Sequence, residues 1–241
     1  MANPDISQAI GQAIAHYPYS DSALFFDAYT ELTRPNLEGK VVIEVCCGTG
    51  ALAGWLATTF PKTIIYGIDY WDVHIDAAKK KYQDLSNLHF RSGDALNLKD
   101  FADVSVDLVV GQATMHHLAN HLPGAAREFS RVLKTGGRCA FIFEPLGHNP
   151  VIAAIRGVLN SRRQWIDESL LFLNALEAFG EPFTSYEVHY YNFLGYVAKL
   201  LPRNEALKWI PTTLRRMDQR LFKQWPGLRK HAANFNVFYV K

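Results

Sequence analysis

The stretch VVIEVCCGTGALAGWLATTF, residues 41–60, changes its period half-way. Val41–Val45 is a short β-branched run suited to a buried strand, broken by one acid, Glu44. Cys46-Cys47-Gly48-Thr49-Gly50 is a turn of small residues, and ALAGWLATTF after it reads as a helix. Strand, glycine turn and helix together form the first half of a βαβ unit.

The same rhythm continues downstream. TIIYGIDY reads as a strand, DVHIDAAKKKYQDL as a helix with its lysines outward, and LHFRSGDA as a strand running into a loop. VDLVVGQA is a strand, LPGAAREFSRVL a helix that Gly136-Gly137 is expected to end, and RCAFIFEP a fifth strand. Such alternation implies right-handed crossovers and a mostly parallel sheet covered on both faces. After Pro150 the rhythm breaks: 151–180 look helical, SYEVHYY alternates with period two, 193–230 are largely helical, and NFNVFYV is a last strand. Upstream, Asn3-Pro4-Asp5 is a helix start, and a second helix begins near Ser20-Asp21 and stops before Pro35. These helices carry His16, Tyr17, Tyr19, Phe25, Phe26 and Tyr29, read chiefly as packing. The expected layout is one α/β domain over 1–241, with an N-terminal helical lid (1–38), a ligand-binding core (39–150), helical insertions with strand six (151–233) and a last strand (234–241). The sheet is expected to be seven-stranded, mostly parallel, with an antiparallel last strand.

Composition narrows the class. Of 241 residues, 49% are apolar and 20% charged, as in an ordinary globular protein. No run approaches the roughly 18 apolar residues of a transmembrane helix. MANPDISQAIGQAIAH lacks the basic flank and apolar stretch of a signal peptide, so a cytoplasmic location is expected. Three cysteines, two adjacent, make neither a disulfide framework nor a metal site. The net charge of +2 is uneven: 199–230 hold nine Lys/Arg against Glu205 and Asp218, which leaves the rest of the chain at −5. This asymmetry marks a surface for an anionic carrier or a membrane, and nucleic acid is not expected because no recognition motif accompanies the charge.

Ligands of open α/β sheets sit outside the carboxyl ends of the strands, where strand order reverses. Gly48–Ala53 satisfies G-x-G-x-x-A, with Asp69 about twenty residues on, as a dinucleotide site would want. A pyrophosphate, however, is repelled by carboxylates, and here Glu44, Asp69 and Asp94 mark three successive strands. An acid-rimmed pocket suits a cationic ligand, an adenosine carrying a sulfonium and an ammonium: S-adenosylmethionine.

At this point the chain resembles the class I S-adenosylmethionine-dependent methyltransferases, in particular the group with ubiquinone- and menaquinone-pathway enzymes and bacterial small-molecule methyltransferases. VVIEVCCGTG, GIDY, SGDALNL, VDLVVGQATMHHL and REFSRVLKTGGRCAFIFEP are similar to its motifs, in order, over about residues 38–145. The resemblance implies a Rossmann-like class I methyltransferase fold, and roles by position. Glu44 would orient backbone near the methionine moiety, and Cys46, Gly48 and Gly50 would line its amino-acid tail. Asp69 would hold the ribose hydroxyls, with Tyr70 packed on adenine, Asp94 and Ala95 at the adenine edge, and Gln112 near the methionine end. The family commonly has glycine where Cys46 stands, so a tight turn is expected to need a negative φ there. Cys47 is read as packing.

Methyl transfer from a sulfonium is an in-line displacement, helped mainly by positioning and water exclusion. A hydroxyl acceptor also needs a base, usually histidine. His116, His117, Glu144 and His148 follow strands four and five. His117 and Glu144 are the catalytic candidates, with Glu144 either touching substrate or capping the next helix. His116, His148, Tyr17, Tyr190 and Tyr191 are candidates for lining the acceptor pocket. The expected activity is O- or N-methylation of a small organic molecule. In the basic segment, Leu214, Met217, Leu221, Phe222 and Trp225 predict an apolar stripe, with Arg215, Arg216, Arg220 and Lys223 largely elsewhere. The alternatives are a nicotinamide-dependent oxidoreductase, or a peripheral membrane- or carrier-binding module that keeps the cofactor fold.

Overall fold

In the computed structural model, which describes residues 22–160, 170–200, 207 and 209–241, seven strands form one sheet in the order β3-β2-β1-β4-β5-β7-β6. The strands are β1 (Val41–Val45), β2 (Ile64–Asp69), β3 (Leu88–Ser92), β4 (Val106–Gln112), β5 (Leu133–Pro145), β6 (Ser185–Tyr191) and β7 (Asn234–Val240). β1 pairs in parallel with both β2 and β4, so the strand order reverses at β1 and opens a crevice at its carboxyl end. β7 is antiparallel to both β5 and β6. β6 therefore runs the same way as β5, and its end, Tyr191, reaches the same rim of the sheet. Seven strands with an antiparallel penultimate β7 in space match the architecture read from the sequence.

Helices α1 (Ser22–Thr33), α2 (Ala51–Thr59), α3 (Asp72–Lys81), α4 (Leu122–Val132), α5 (Pro150–Asn160), α6 (Leu173–Gly180) and α7 (Trp209–Gln224) surround the sheet, with short 3₁₀ turns at Met115–His121, Gly195–Leu200 and Pro226–His231. The helix expected near Asn3 lies outside the described residues, as do 161–169 within the segment read as helical. On α1, Phe25, Ala28, Tyr29 and Leu32 are all buried, an i, i+3, i+4, i+7 face. They join one core with Val42, Trp55, Ile65 and Phe143, while α4 and α6 pack Phe129 and Phe179 against Phe141 on the opposite face. Each fully buried aromatic contributes about 1.5–3 kcal/mol over an exposed one.

Two boundaries differ from expectation. α4 ends at Val132, before the glycines, because Leu133 already pairs with Val106 of β4. Gly136-Gly137 instead lie inside β5, where Gly136 takes φ 74°. The buried face of α7 is also rotated. Phe222 and Asp218 are buried, Leu214 and Leu221 half-buried, while Met217 and Trp225 stand out in solvent. The cause is Asp218, drawn inward to accept from Phe193 N, Leu194 N and Gly195 N at 2.9, 2.7 and 3.1 Å. Three backbone donors compensate a carboxylate that burial alone would not tolerate, and they tie α7 to the loop after β6.

Candidate active site

The turn after β1 is wound left-handed at three positions: Cys46 (φ 52°), Gly48 (φ 52°) and Gly50 (φ 73°). Gly50 is obligatory twice over, since a Cβ there would meet the Phe90 ring at 2.3 Å. Cys46 corrects the expectation of a negative φ. A non-glycine residue in this region costs of order 1 kcal/mol or more, and such strain clusters where ligands bind. Ala113, just after β4, and Phe143, at a bulge in β5, repeat the conformation with φ 52° and 66°. Three neighbouring strands thus carry strained residues at or near one rim.

The backbone donors of the turn are largely committed. Cys47 N donates to Ile68 O, Gly50 N to Cys47 O, Gly48 N to Asp69 Oδ2 at 2.8 Å, and Ala53 N in the first turn of α2 to Glu44 Oε2 at 2.8 Å. Asp69 also accepts from Trp71 N at 3.0 Å and faces His74 Nδ1 at 3.2 Å. A carboxylate has about four acceptor sites. Asp69 therefore keeps one for a further donor, rather than the two that a ribose diol would use.

Burial pushes the Glu44 carboxyl up to about 8, the Ala53 N–H and the Asp69 charge being smaller influences of opposite sign. Near neutrality it holds its proton unless a cation arrives. Burial, then the charges of Asp69, Glu144, Glu44 and Asp94, push the Cys46 thiol up to about 12. Four carboxyl groups converge on this turn. Cys47 is buried and likewise pushed upward, which leaves both thiols protonated and non-nucleophilic.

Tyr70 and Trp71 stand 72% and 61% exposed beside Asp69, their rings edge-on at 5.6 Å. Asp94 closes a local turn through Leu96 N at 2.8 Å, and Ala95 beneath it is buried. On the other side, Gln112 Oε1 accepts from Tyr29 Oη at 2.8 Å, so α1 reaches across to the end of β4. Tyr29 rests on Trp55, and Phe25 packs on Phe143 at 4.3 Å.

Glu144 is wholly buried, and its role differs from a group that touches substrate. Oε1 accepts from Thr114 N and Met115 N at 2.6 and 2.8 Å, and Oε2 from His116 N at 3.2 Å while meeting His116 Nδ1 at 2.8 Å. It caps the 3₁₀ turn after β4, holding four donors, and is a positioning residue. His116 is buried against it; His117 is exposed, its ring tilted on His116 at 4.1 Å. His148 Nε2 accepts from Leu173 N at 3.0 Å, so this histidine caps α6 instead of facing the acceptor. Burial first, then His231 and Lys230, lowers its pKa, as a neutral acceptor nitrogen requires. Tyr190 and Tyr191, being consecutive in a strand, point to opposite faces. Only Tyr191 packs on the cluster with Phe143 and Trp55, while Tyr190 packs on the far side. Tyr17 lies outside the described residues.

Sequence reading missed Thr114, which is fully buried and bonds Val45 O and Gln112 O at 3.3 and 3.2 Å, stitching β1 to β4. No pattern marks it; the nearest signal is Gly111, whose Cβ would lie 2.8 Å from the Thr114 side chain. Among the described residues no group of three His, Cys, Asp or Glu is placed to hold a metal ion.

Comparison with known proteins agrees with this fold. Residues 43–141, from β1 into β5, match the methyltransferase domain family. The chain is similar to the phthiotriol/phenolphthiotriol dimycocerosates methyltransferase of Mycobacterium leprae, 36% identical over 109 residues, which are 45% of this chain and 39% of that one. It is similar also to the demethylmenaquinone methyltransferase of Staphylococcus haemolyticus, 33% identical over 104 residues, 41% of each chain. The chain spans about two fifths of the length of these curated relatives. In fold it matches phosphoethanolamine N-methyltransferase 2 of Haemonchus contortus, solved with S-adenosyl-L-methionine, at a TM-score of 0.60 and 15% identity, over 89% of this chain and 51% of that one. The core is a class I methyltransferase fold, and the resemblance seen in the motifs stands.

Proposed function

We propose that the chain transfers a methyl group from S-adenosylmethionine to a small organic acceptor. One observation carries this reading: the turn after β1 spends its Gly48, Gly50 and Ala53 N–H groups internally, two of them on carboxyl groups. A pyrophosphate needs such donors, and a sulfonium with an ammonium needs the acids. The nicotinamide alternative loses its main support there. The residues present fit the cationic nucleoside: Glu44 and Asp69 set the turn, Cys46, Gly48 and Gly50 border the amino-acid tail, Asp69 takes a ribose hydroxyl, Tyr70 with Asp94 and Ala95 meets adenine, and Gln112 lies toward the methionine end.

The bound donor supplies an electrophilic methyl group. Tyr29 and Phe25 on α1 roof the crevice and exclude water, while Glu144 and Thr114 fix the loop that carries His116 and His117. His117, the exposed member of the pair, takes the proton from an acceptor hydroxyl or amine, and O- or N-methylation follows. Two of the similar proteins are named for phthiotriol/phenolphthiotriol dimycocerosates and for demethylmenaquinone, and an apolar acceptor suits the Phe25, Phe143 and Tyr191 surroundings. Segment 199–230 would then face an anionic carrier or a membrane that presents such an acceptor.

Calorimetric titration tests the reading. S-adenosylhomocysteine should bind at micromolar affinity or better and NAD not at all; NAD binding without S-adenosylhomocysteine binding would reverse the conclusion.

A further inference from the structure

The exposed face of α7 is unlike any other surface described. Trp209, Arg216, Arg220 and Lys223 are spaced seven, four and three residues apart, which places them on one side of the helix, and all four are exposed. Exposed Trp225 follows at the helix end, then exposed Arg229 and Lys230 on the next 3₁₀ turn. None of these five cations forms an ion pair with a described residue. From Trp209 to Lys241 the sequence holds one acid, Asp218, and it is buried and spent on three backbone donors. Arg215, on the flank, reaches Asp27 of α1 at 3.8 Å. α7 therefore adjoins α1.

We infer that this face docks on an anionic phospholipid bilayer. Clustered Lys and Arg are drawn to anionic headgroups, and tryptophan, with an apolar body and one N–H, prefers the headgroup level. The arrangement separates a bilayer from an acidic protein partner. Protein interfaces gather their aromatics at the centre of the contact. Here exposed Trp209 stands at one end of a helix about 24 Å long, at the edge of a face whose other members are cations, the distribution that a flat interface would contact at once. Among the described residues no helix is long and apolar enough to cross a membrane, so this contact would be peripheral. The inference goes beyond the methyl-transfer reading, because vesicle binding needs neither donor nor acceptor.

Flotation of the full chain with vesicles tests it. Vesicles of equal parts phosphatidylcholine and phosphatidylglycerol should carry the protein upward, and phosphatidylcholine alone should not. Arg216→Glu/Arg220→Glu/Lys223→Glu should weaken partitioning by more than about tenfold, since each basic residue near an anionic surface counts for roughly fivefold. Lys79→Glu/Lys80→Glu/Lys81→Glu, which reverses as much charge on α3, should change it far less. Trp209→Ser should also weaken it, and this variant carries the test if the charge reversal lowers the melting temperature. No flotation with the anionic vesicles, equal flotation with both, equal loss in the α3 variant, or capture by an acidic carrier protein in place of vesicles would overturn the inference.

Discussion

Replacing Glu44 by Gln isolates the proton that the buried carboxyl holds. In the folded chain this group titrates at about 8, against 4.5 for an ordinary glutamate. Between those values the native state binds one more proton than the unfolded state. Stability therefore falls as pH rises through this window, by about 1.4 kcal/mol per unit. Over the whole shift the loss is on the order of 5 kcal/mol, comparable with the entire stability of a small domain. The glutamine keeps an oxygen for Ala53 N–H but does not titrate. Urea unfolding of both proteins from about pH 5 to about pH 8 should show the variant gaining on the parent by several kcal/mol. Other titrating groups, the histidines included, cancel in the difference. A gap that stays constant to within about 1 kcal/mol across the range would refute the account, because Glu44 would then ionise as freely folded as unfolded. The same proton couples to ligand: a cation near the turn favours the charged carboxylate, so donor binding around pH 7 should release a proton, visible as buffer-dependent heat.

Asp69→Asn should weaken S-adenosylhomocysteine binding roughly 10- to 100-fold by calorimetry, because charge-assisted bonds to Gly48 and ribose are lost. Glu144→Ala removes the acceptor that four buried donors share and should cost about 3–5 kcal/mol in chemical denaturation, with Glu144→Gln recovering part of it. His117→Gln should lower kcat for a hydroxyl acceptor by about 10²–10⁴-fold with stability nearly unchanged, since the residue is exposed. Cys46→Val places a β-branched side chain at φ 52° and should destabilise by about 1–3 kcal/mol in thermal melts.

What sequence could show follows from periodicity. Strands such as Val41–Val45 and Asn234–Val240 are bounded by residues that break their pattern, so their ends were readable. The end of α4 was not, because pairing of Leu133 with Val106 overrode the glycine signal. In the site, Glu44 and Asp69 were legible as acids at strand ends, but their hydrogen-bond partners were not. Which nitrogen a carboxylate accepts from depends on the turn's dihedral angles, and Cys46 adopts a conformation its residue type disfavours. Glu144, His148 and Thr114 show the same limit: each is a polar residue near the rim whose bonds go to loop backbone, and only the folded geometry separates that task from contact with a substrate. The buried face of α7 differs from the apolar stripe in the sequence because Asp218 turns inward to loop backbone, which apolar periodicity does not signal.

The direction of β6 has its own consequence. Because it runs with β5, the rim that begins at Cys46 and passes Ala113 and Phe143 is prolonged to Tyr191 and Asn192. On the proposed reading, donor and acceptor would then belong to different strands of one continuous edge. Exchanging side chains at the far end would then retune which molecule is accepted while the nucleoside seat stays intact, a separation that would let one scaffold change clients without relearning its chemistry.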